Sequence, residues 1–169
     1  MADECDELLK QCTDDEKNTE NNLTQSDDSN GFVLKVKGHV IKSVEELPIY
    51  PIIRQVVNCS YEISRRPTFV KDTILVEDVR RVSIKMLGSL VSGFDMGSKE
   101  FLIDHLLIVK GFCGELKAYY TLAFDQRYID DGMYLDMLEK CKKITQYADK
   151  IILCLKGNKI KQMMNKKIG

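Results

Sequence analysis

The amino-acid sequence predicts an all-α protein that folds as an antiparallel up-down four-helix bundle. Four segments between residues 46 and 155 carry apolar residues at the three- and four-residue spacing of one helix face. The connections between these segments are short, which favours antiparallel packing of neighbouring helices. An acidic segment precedes the four segments and a lysine-rich segment follows them, so we expect one bundle with two charged extensions.

The N-terminal residues 1–30 contain ten Asp or Glu residues and two lysines, a net charge of −8, and almost no aliphatic side chains. Such a segment cannot bury enough apolar surface to offset its ordering entropy, so it predicts a disordered acidic tail. Residues 31–45 alternate apolar residues with lysines around Lys37 and Gly38, which indicates a linker or a short hairpin. Residues 46–169 are assigned to the four-helix bundle with a basic C-terminal extension.

The first two helices are predicted at about 46–64 and 71–93. Pro67 prevents the first helix from continuing, because proline lacks an amide proton and its ring clashes with the preceding turn. Gly93 and the cluster 95–98 predict the stop of the second helix and the cap of the third. The apolar stripes of the two helices comprise Ile49, Ile53, Val56 and Ile63 in the first and Leu75, Val79, Val82, Met86 and Leu90 in the second.

The third and fourth helices are predicted to be the longest, at roughly 25 residues or close to 40 Å each. Their apolar residues recur at heptad spacing, which places them on one stripe of each helix. The third stripe consists of Leu102, Leu106, Val109, Cys113, Leu116, Tyr120 and Ala123. The fourth consists of Tyr134, Leu138, Cys141, Ala148 and Leu155, flanked by Met137, Ile144, Ile151 and Ile152.

The segment that joins these two helices is rich in polar residues and is interpreted as a structural corner formed by Arg127, Tyr128 and Asp130. Asp130 is placed as the N-cap of the fourth helix, and Asp131 adds a negative charge to the first turn, which the helix dipole favours. Arg127 is placed in the last turn of the third helix, where a cation is favourable. Capping therefore accounts for these charges without a catalytic role.

A cytoplasmic location is expected from two features of the chain. The N-terminus is acidic, unlike a secretory signal, and the longest aliphatic run, 106–109, is far shorter than a membrane span of about 20 residues. The six cysteines form no Cys-x-x-Cys pair, so we expect reduced thiols and no zinc site.

The residues with catalytic potential each have a plainer structural explanation. Adjacent acids at a helix start cap the helix, and a histidine beside an apolar stripe, His105, is expected to be a hydrogen-bonded boundary residue. Cys113 and Cys141 lie on the stripes and are interpreted as small buried hydrophobic residues. The glycines do not have the spacing of a phosphate-binding loop. We therefore expect no enzyme activity, no cofactor and no metal site.

Nucleic-acid binding is the better-supported prediction. Residues 51–169 contain 20 Lys or Arg and 14 Asp or Glu, a net charge of +6. A positive excess of this kind attracts a phosphate backbone. No base-reading motif is present, so contact with backbone and shape is expected. One candidate group comprises Arg65, Arg66, Lys71, Arg80 and Arg81, and the other comprises Lys140, Lys142, Lys143, Lys150, Lys156, Lys159, Lys161, Lys166 and Lys167.

Self-association is predicted from the third helix, which carries apolar residues outside its stripe. These residues are Phe101, Ile103, Ile108, Phe112 and Tyr119. This is more apolar perimeter than the interior of one bundle requires, and a subunit interface would bury it.

Three phrases of the chain resemble one family of four-helix bundles: "ELPIY" (46–50), "ELKAYYTLAFDQRYID" (115–130) and "MYLDMLEKCKKITQYADKI" (133–151). The family comprises the 23S ribosomal RNA intervening-sequence proteins and the accessory variability determinant proteins of diversity-generating retroelements, and the resemblance covers about residues 46–156. It implies a homopentamer that binds RNA and possibly DNA, associates with a reverse transcriptase in mutagenic retrohoming, and has no catalytic site. The chain lacks the tryptophan-containing phrase with which family members often end.

Two hypotheses follow. In the first, the protein is a non-catalytic, oligomeric nucleic-acid-binding accessory protein that works with a reverse transcriptase. In the second, it is a protein-interaction scaffold of the intervening-sequence kind, without a nucleic-acid role.

Overall fold

The predicted all-α, four-helix architecture is confirmed. A computed structural model describes residues 34–36 and 39–165, with side chains over 40–156. The predicted acidic tail, residues 1–30, lies outside the described residues, as do Lys37 and Gly38. The four helices are α1 (Ile49–Ile63), α2 (Thr73–Asp95), α3 (Lys99–Asp125) and α4 (Asp131–Asn165).

A two-stranded hairpin precedes the bundle, which agrees with the short extended segment predicted there. Strand β1 (Leu34–Val36) pairs antiparallel with β2 (His39–Ile41). One turn of 3₁₀ helix follows at Val44–Glu46. Helix α1 then begins at Ile49 rather than at residue 46. The reason is Pro48, which disfavours helical geometry in the residue before it, and Leu47 accordingly has extended backbone angles.

The four helices form a closed ring in which each packs against two others. Each helix packs against the next helix in the chain, and α1 packs against α4 to complete the ring. The α1–α2 and α3–α4 connections meet at one end of the bundle, where the ring of Phe69 stacks on that of Tyr128 at 5.3 Å. The Thr68 hydroxyl also donates a hydrogen bond to the Tyr128 carbonyl oxygen at 3.3 Å. This arrangement is the predicted up-down topology.

The predicted apolar stripes of α1, α2 and α3 are buried in the core at every position named from the sequence. The stripe of α4 is corrected at its start. It begins at Met137, which is fully buried, whereas Tyr134 and Leu138 are only half-buried. Tyr134 stays at the boundary because its ring stacks on Phe124 at 4.7 Å while its hydroxyl lies 3.3 Å from that of Thr121.

One polar contact crosses the core between α1 and α3, which are not neighbours in the ring. The Ser60 and Tyr120 hydroxyl oxygens lie 2.7 Å apart, and both residues are fully buried. Ser60 directs its only hydroxyl proton to the Val56 carbonyl oxygen at 2.7 Å, so Tyr120 is the donor to Ser60. Burial raises the pKa of Tyr120, which keeps the phenol protonated as this hydrogen bond requires.

Helices α2 and α3 are in close contact at Gly93. A Cβ atom on Gly93 would lie 2.4 Å from the Cβ of His105, so a larger residue cannot fit without a shift of the helices. Gly93 therefore lies inside α2 as a packing residue, and the prediction that it stops the helix is wrong. His105 is half-buried, with Nδ1 2.9 Å from the Phe101 carbonyl oxygen, as expected for a boundary residue. Gly97, in a left-handed conformation (φ 67°), ends α2, and the Ser98 side chain caps α3.

The α3–α4 corner is a Schellman motif whose left-handed residue is an arginine. The Tyr128 amide donates to the Ala123 carbonyl oxygen and the Arg127 amide to that of Phe124, both at 2.8 Å. Arg127 has a φ of 58° and follows the helix end at Asp125, so its predicted position in the last turn is wrong. The backbone hydrogen bonds of Arg127 and Tyr128 therefore close the end of α3, in place of the predicted favourable charge of Arg127 in its last turn.

The N-cap predicted for α4 at Asp130 is confirmed. The Asp130 carboxylate accepts a hydrogen bond from the Met133 amide at 3.0 Å, which makes Asp130 the N-cap of α4. Asp131 is the acid in the first turn. Arg66 also approaches Asp130, at 3.5 Å, but both side chains are exposed and such a pair contributes little to stability.

Replacing Gly93 with alanine is expected to lower the free energy of unfolding by about 1–3 kcal/mol, because the new methyl group overpacks the contact with His105. Gly88→Ala is the matched control in the same helix: nothing lies within 4 Å of its added Cβ, so it should stabilise by about 0.5–1 kcal/mol. Urea denaturation followed by circular dichroism measures both. Equal effects of the two substitutions would contradict the close approach.

Replacing Arg127 with glycine is expected to raise the free energy of unfolding by about 1 kcal/mol, because glycine adopts the left-handed conformation without steric cost. Arg127→Ala keeps the backbone strain while removing the charge, so it should show no such gain. Thermal melts of the two variants beside the unsubstituted protein separate the backbone effect from the charge effect. A gain with alanine equal to that with glycine would assign the effect to the side chain.

Candidate nucleic-acid interface

The first predicted basic group gathers around one aromatic ring at the C-terminal end of α1. The guanidinium carbon of Arg80, from α2, lies 5.3 Å from the centroid of the Tyr61 ring, and that of Arg65 lies 6.0 Å from it. The Arg80 Nε also donates a hydrogen bond of 2.7 Å to the Ser64 hydroxyl. Within residues 40–156, no carboxylate pairs with either arginine. We name Tyr61, Arg65 and Arg80 the arginine–tyrosine cluster.

The remaining members of this group are arranged differently. Arg66 is paired with Asp130, and Arg81 is paired with Glu77 at 3.4 Å and with Asp78 at 3.3 Å. Lys71, in the α1–α2 connection, is exposed. The two arginine pairs of the sequence therefore divide in the same way: one member faces Tyr61 and the other is neutralised by acids.

The lysines of α4 are partly paired with acids one turn earlier in the helix. Lys140 pairs with Asp136, and Lys143 lies 2.8 Å from Glu139. The hydrogen bond and charge of Lys143 hold the pKa of the Glu139 carboxyl below its ordinary value. These i, i+4 pairs are exposed at the acid, so they contribute little to stability and leave the lysines available to a stronger anion.

The other lysines of α4 whose side chains the structure describes form no ion pair with an acid of residues 40–156. Lys150 lies 5.7 Å from the centroid of the Tyr147 ring, while Lys142 and Lys156 are exposed. Lys159 and Lys161 lie in α4, but their side chains are outside the described residues; Lys166 and Lys167 are outside them entirely.

Charge is concentrated at the C-terminal end of the chain. Residues 49–156 contain sixteen basic and fourteen acidic residues, a net charge of +2, so four of the six positive charges counted from residue 51 onward lie beyond residue 156. The bundle itself is close to neutral. Any anion that it binds must therefore be held by local groups such as the arginine–tyrosine cluster rather than by an overall field.

Two residues of this surface were missed by the sequence analysis. Tyr61 lies four residues before Arg65, the spacing of neighbours on a helix surface, and this signal could have identified it. Arg54, also exposed, lies seven residues before Tyr61 and so on the same stripe of α1. Arg80 was found from the sequence, but its position beside Tyr61 depends on the packing of α1 against α2.

The acidic and thiol side chains form no metal-binding cluster in the part of the chain that the structure describes. No three His, Cys, Asp or Glu side chains there lie close enough together to hold a metal ion. Cys113 and Cys141 are buried in the core, as predicted. The hydrogen bond with Cys113 and burial raise the pKa of the Cys141 thiol, so it stays protonated at neutral pH.

A stripe of exposed apolar residues runs along α3. Phe101, Ile108 and Leu122 lie on one face of the helix, and each leaves about half of its surface exposed (47%, 47% and 50%). The exposed Glu115 occupies the heptad position between Ile108 and Leu122. Three further residues named from the sequence, Ile103, Phe112 and Tyr119, are half-buried against the core. We name Phe101, Ile108 and Leu122 the α3 stripe.

Comparisons of the chain with protein-family models, with curated proteins and with solved structures found no match. The resemblance to the intervening-sequence and accessory variability determinant proteins therefore stays a prediction. Within residues 34–36 and 39–165, no helix combines the length and the apolar character that crossing a bilayer requires.

Self-association through the α3 stripe is expected to give a mass above the 19.4 kDa of one chain in light scattering. Ile108→Glu places a second negative charge on this face, seven residues before Glu115, and should shift the protein toward the monomer, because an unpaired charge is costly to desolvate in an interface. Leu135→Glu is the control, since Leu135 is 61% exposed on α4, outside the stripe. A monomer for the unsubstituted chain at micromolar concentration would contradict the prediction.

Proposed function

We propose that the protein is a non-catalytic, self-associating nucleic-acid-binding accessory protein. The observation that carries the proposal is the arginine–tyrosine cluster, in which two guanidinium groups are oriented by an aromatic ring and are not neutralised by a described acid. Arginine held in this way presents a planar set of donors that suits phosphate oxygens. The lysine-rich C-terminal segment, with five lysines and no acid in residues 151–169, supports the same conclusion.

The mode of binding follows from these groups. The candidate side chains are arginines and lysines on the outer surfaces of the helices and at a corner, and such groups contact the phosphate backbone rather than base edges. Binding of this kind depends on salt, because each phosphate contact releases condensed counterions. We therefore propose recognition of backbone and shape, with structured RNA as the ligand and DNA as a weaker alternative.

The partners are proposed from the resemblance of the sequence phrases. They are a reverse transcriptase in a diversity-generating retroelement and further copies of the chain, with a homopentamer as the assembly. Work beside such an enzyme takes place in the cytoplasm. The exposed α3 stripe supports self-association, since a subunit interface would remove its apolar surface from water.

A second candidate is a protein-interaction scaffold without a nucleic-acid role. Two observations favour it: residues 49–156 are nearly neutral, and the α3 stripe is an apolar surface of the kind found at protein interfaces. The genes beside the reading frame separate the two candidates. A reverse transcriptase gene and a template repeat favour the first, whereas a surrounding ribosomal RNA gene favours the second.

Affinity for structured RNA is expected to fall steeply between 50 and 200 mM salt in filter-binding measurements. Lys142→Glu should weaken binding severalfold and reduce the slope of log affinity against log salt by about one, because a phosphate contact is lost. Lys85→Glu is the matched control: it makes the same change in net charge at an exposed lysine of α2 outside both candidate groups.

Three results are informative. A larger effect at Lys142 than at Lys85 localises the RNA, and equal effects would assign the binding to net charge alone. Undetectable binding by the unsubstituted chain, even at the lowest salt, would refute the proposed function and leave the scaffold.

A further inference from the structure

The arginine–tyrosine cluster is more ordered than electrostatic attraction alone requires. Arg80 is fixed at two points, by its Nε hydrogen bond to Ser64 and by the Tyr61 ring under its guanidinium carbon. Ser64 is itself fully buried, and its hydroxyl donates to the Tyr61 carbonyl oxygen at 3.2 Å. The side chain of Arg80 is thus tied through one buried hydroxyl to the backbone of the residue whose ring it covers.

This anchoring leaves a defined set of donors. Since Nε is used by Ser64, the two terminal nitrogens of Arg80 retain four N–H groups in the guanidinium plane. Arg65 brings a second guanidinium to the same ring, 6.0 Å from its centroid, and is exposed. Two cations near one ring repel each other, and an anion that contacts both would relieve the repulsion.

The arginines that follow Arg65 and Arg80 in the sequence are in a different environment. Arg66 and Arg81 each lie one position after a cluster arginine, and each is paired with a carboxylate. The acids at this end of the bundle therefore pair with Arg66 and Arg81, whereas the two arginines at Tyr61 pair with no carboxylate of residues 40–156. Because guanidinium groups already lie over the Tyr61 ring, less of its face is left for a nucleotide base to stack on, which favours a phosphate as the ligand.

We propose that Arg65 and Arg80, held on Tyr61, form a clamp for a single backbone phosphate of RNA, with Arg80 making two parallel hydrogen bonds to the phosphate oxygens. The clamp deepens the proposed function and rests on it. It differs from general attraction to basic residues, because it depends on the shape of the guanidinium group as well as on its charge.

Conversion of arginine to lysine separates shape from charge. Arg80→Lys and Arg65→Lys keep the positive charge but remove the planar fork and the Nε donor. We expect each to weaken RNA binding about tenfold in filter-binding assays at fixed salt, since a charge-assisted hydrogen bond is lost. The slope of log affinity against log salt should stay unchanged, because the number of charges at the phosphate is the same.

The matched control is Arg127→Lys. Arg127 is exposed in the corner that packs beside the α1–α2 connection, has no role in the clamp, and keeps its charge in the variant. It should bind RNA as the unsubstituted chain does. Circular dichroism establishes that each variant folds; if Arg80→Lys is unfolded, Arg65→Lys, whose side chain is exposed, decides the test alone.

The outcomes keep the two proposals apart. Binding by the unsubstituted chain together with loss in both clamp variants, and not in the control, supports the clamp. Binding that is equal in the unsubstituted chain and in the folded clamp variants overturns the clamp while the proposed function stands. An absence of RNA binding by the unsubstituted chain overturns the proposed function, and the clamp with it.

Discussion

The structure depends on one constraint: each of four helices must turn a single apolar stripe toward a common axis. The aliphatic residues of α1, α2 and α3 meet this requirement at every predicted position, and those of α4 meet it from Met137 onward. Burial of this surface is the main favourable contribution to folding. The constraint also assigns the polar residues their places, because charged groups are left at the helix ends and on the outer faces. The candidate binding groups of the described bundle therefore lie at its surface.

How far the sequence predicts this molecule depends on whether a feature is local or a product of packing. Helical periodicity and the caps at Asp130 and Ser98 are local, and the structure confirms them. Apolar periodicity predicts the start of α1 too early, because it does not include the effect of Pro48 on the residue before it. The position of Gly93 in the sequence favours a helix stop, whereas its role in the fold is a contact with α3, which involves a residue distant in the sequence.

The same distinction applies to the candidate interface. Counting lysines and arginines identified Arg65 and Arg80, yet gave no reason to separate them from Arg66 and Arg81. Only the crossing of α1 and α2 reveals which side chains face Tyr61 and which face acids. Net charge was a poor guide as well, since most of the positive excess lies beyond residue 156 and not on the bundle. The positions of the arginines and their ion pairs therefore identify the candidate interface better than the composition of the chain does.

The buried hydrogen bond between Ser60 and Tyr120 also affects the candidate interface at Tyr61. Apolar side chains fix the relative position of packed helices through their shape alone, because they have no directional partners. Ser60 and Tyr120 add a directional constraint, because a shift of α1 by one turn, about 5.4 Å, would leave the buried Tyr120 hydroxyl without its acceptor on Ser60. Ser60 is adjacent to Tyr61 in the chain. The Ser60–Tyr120 hydrogen bond therefore fixes the position of the Tyr61 ring along the bundle, and with it the position of the two arginines at that ring.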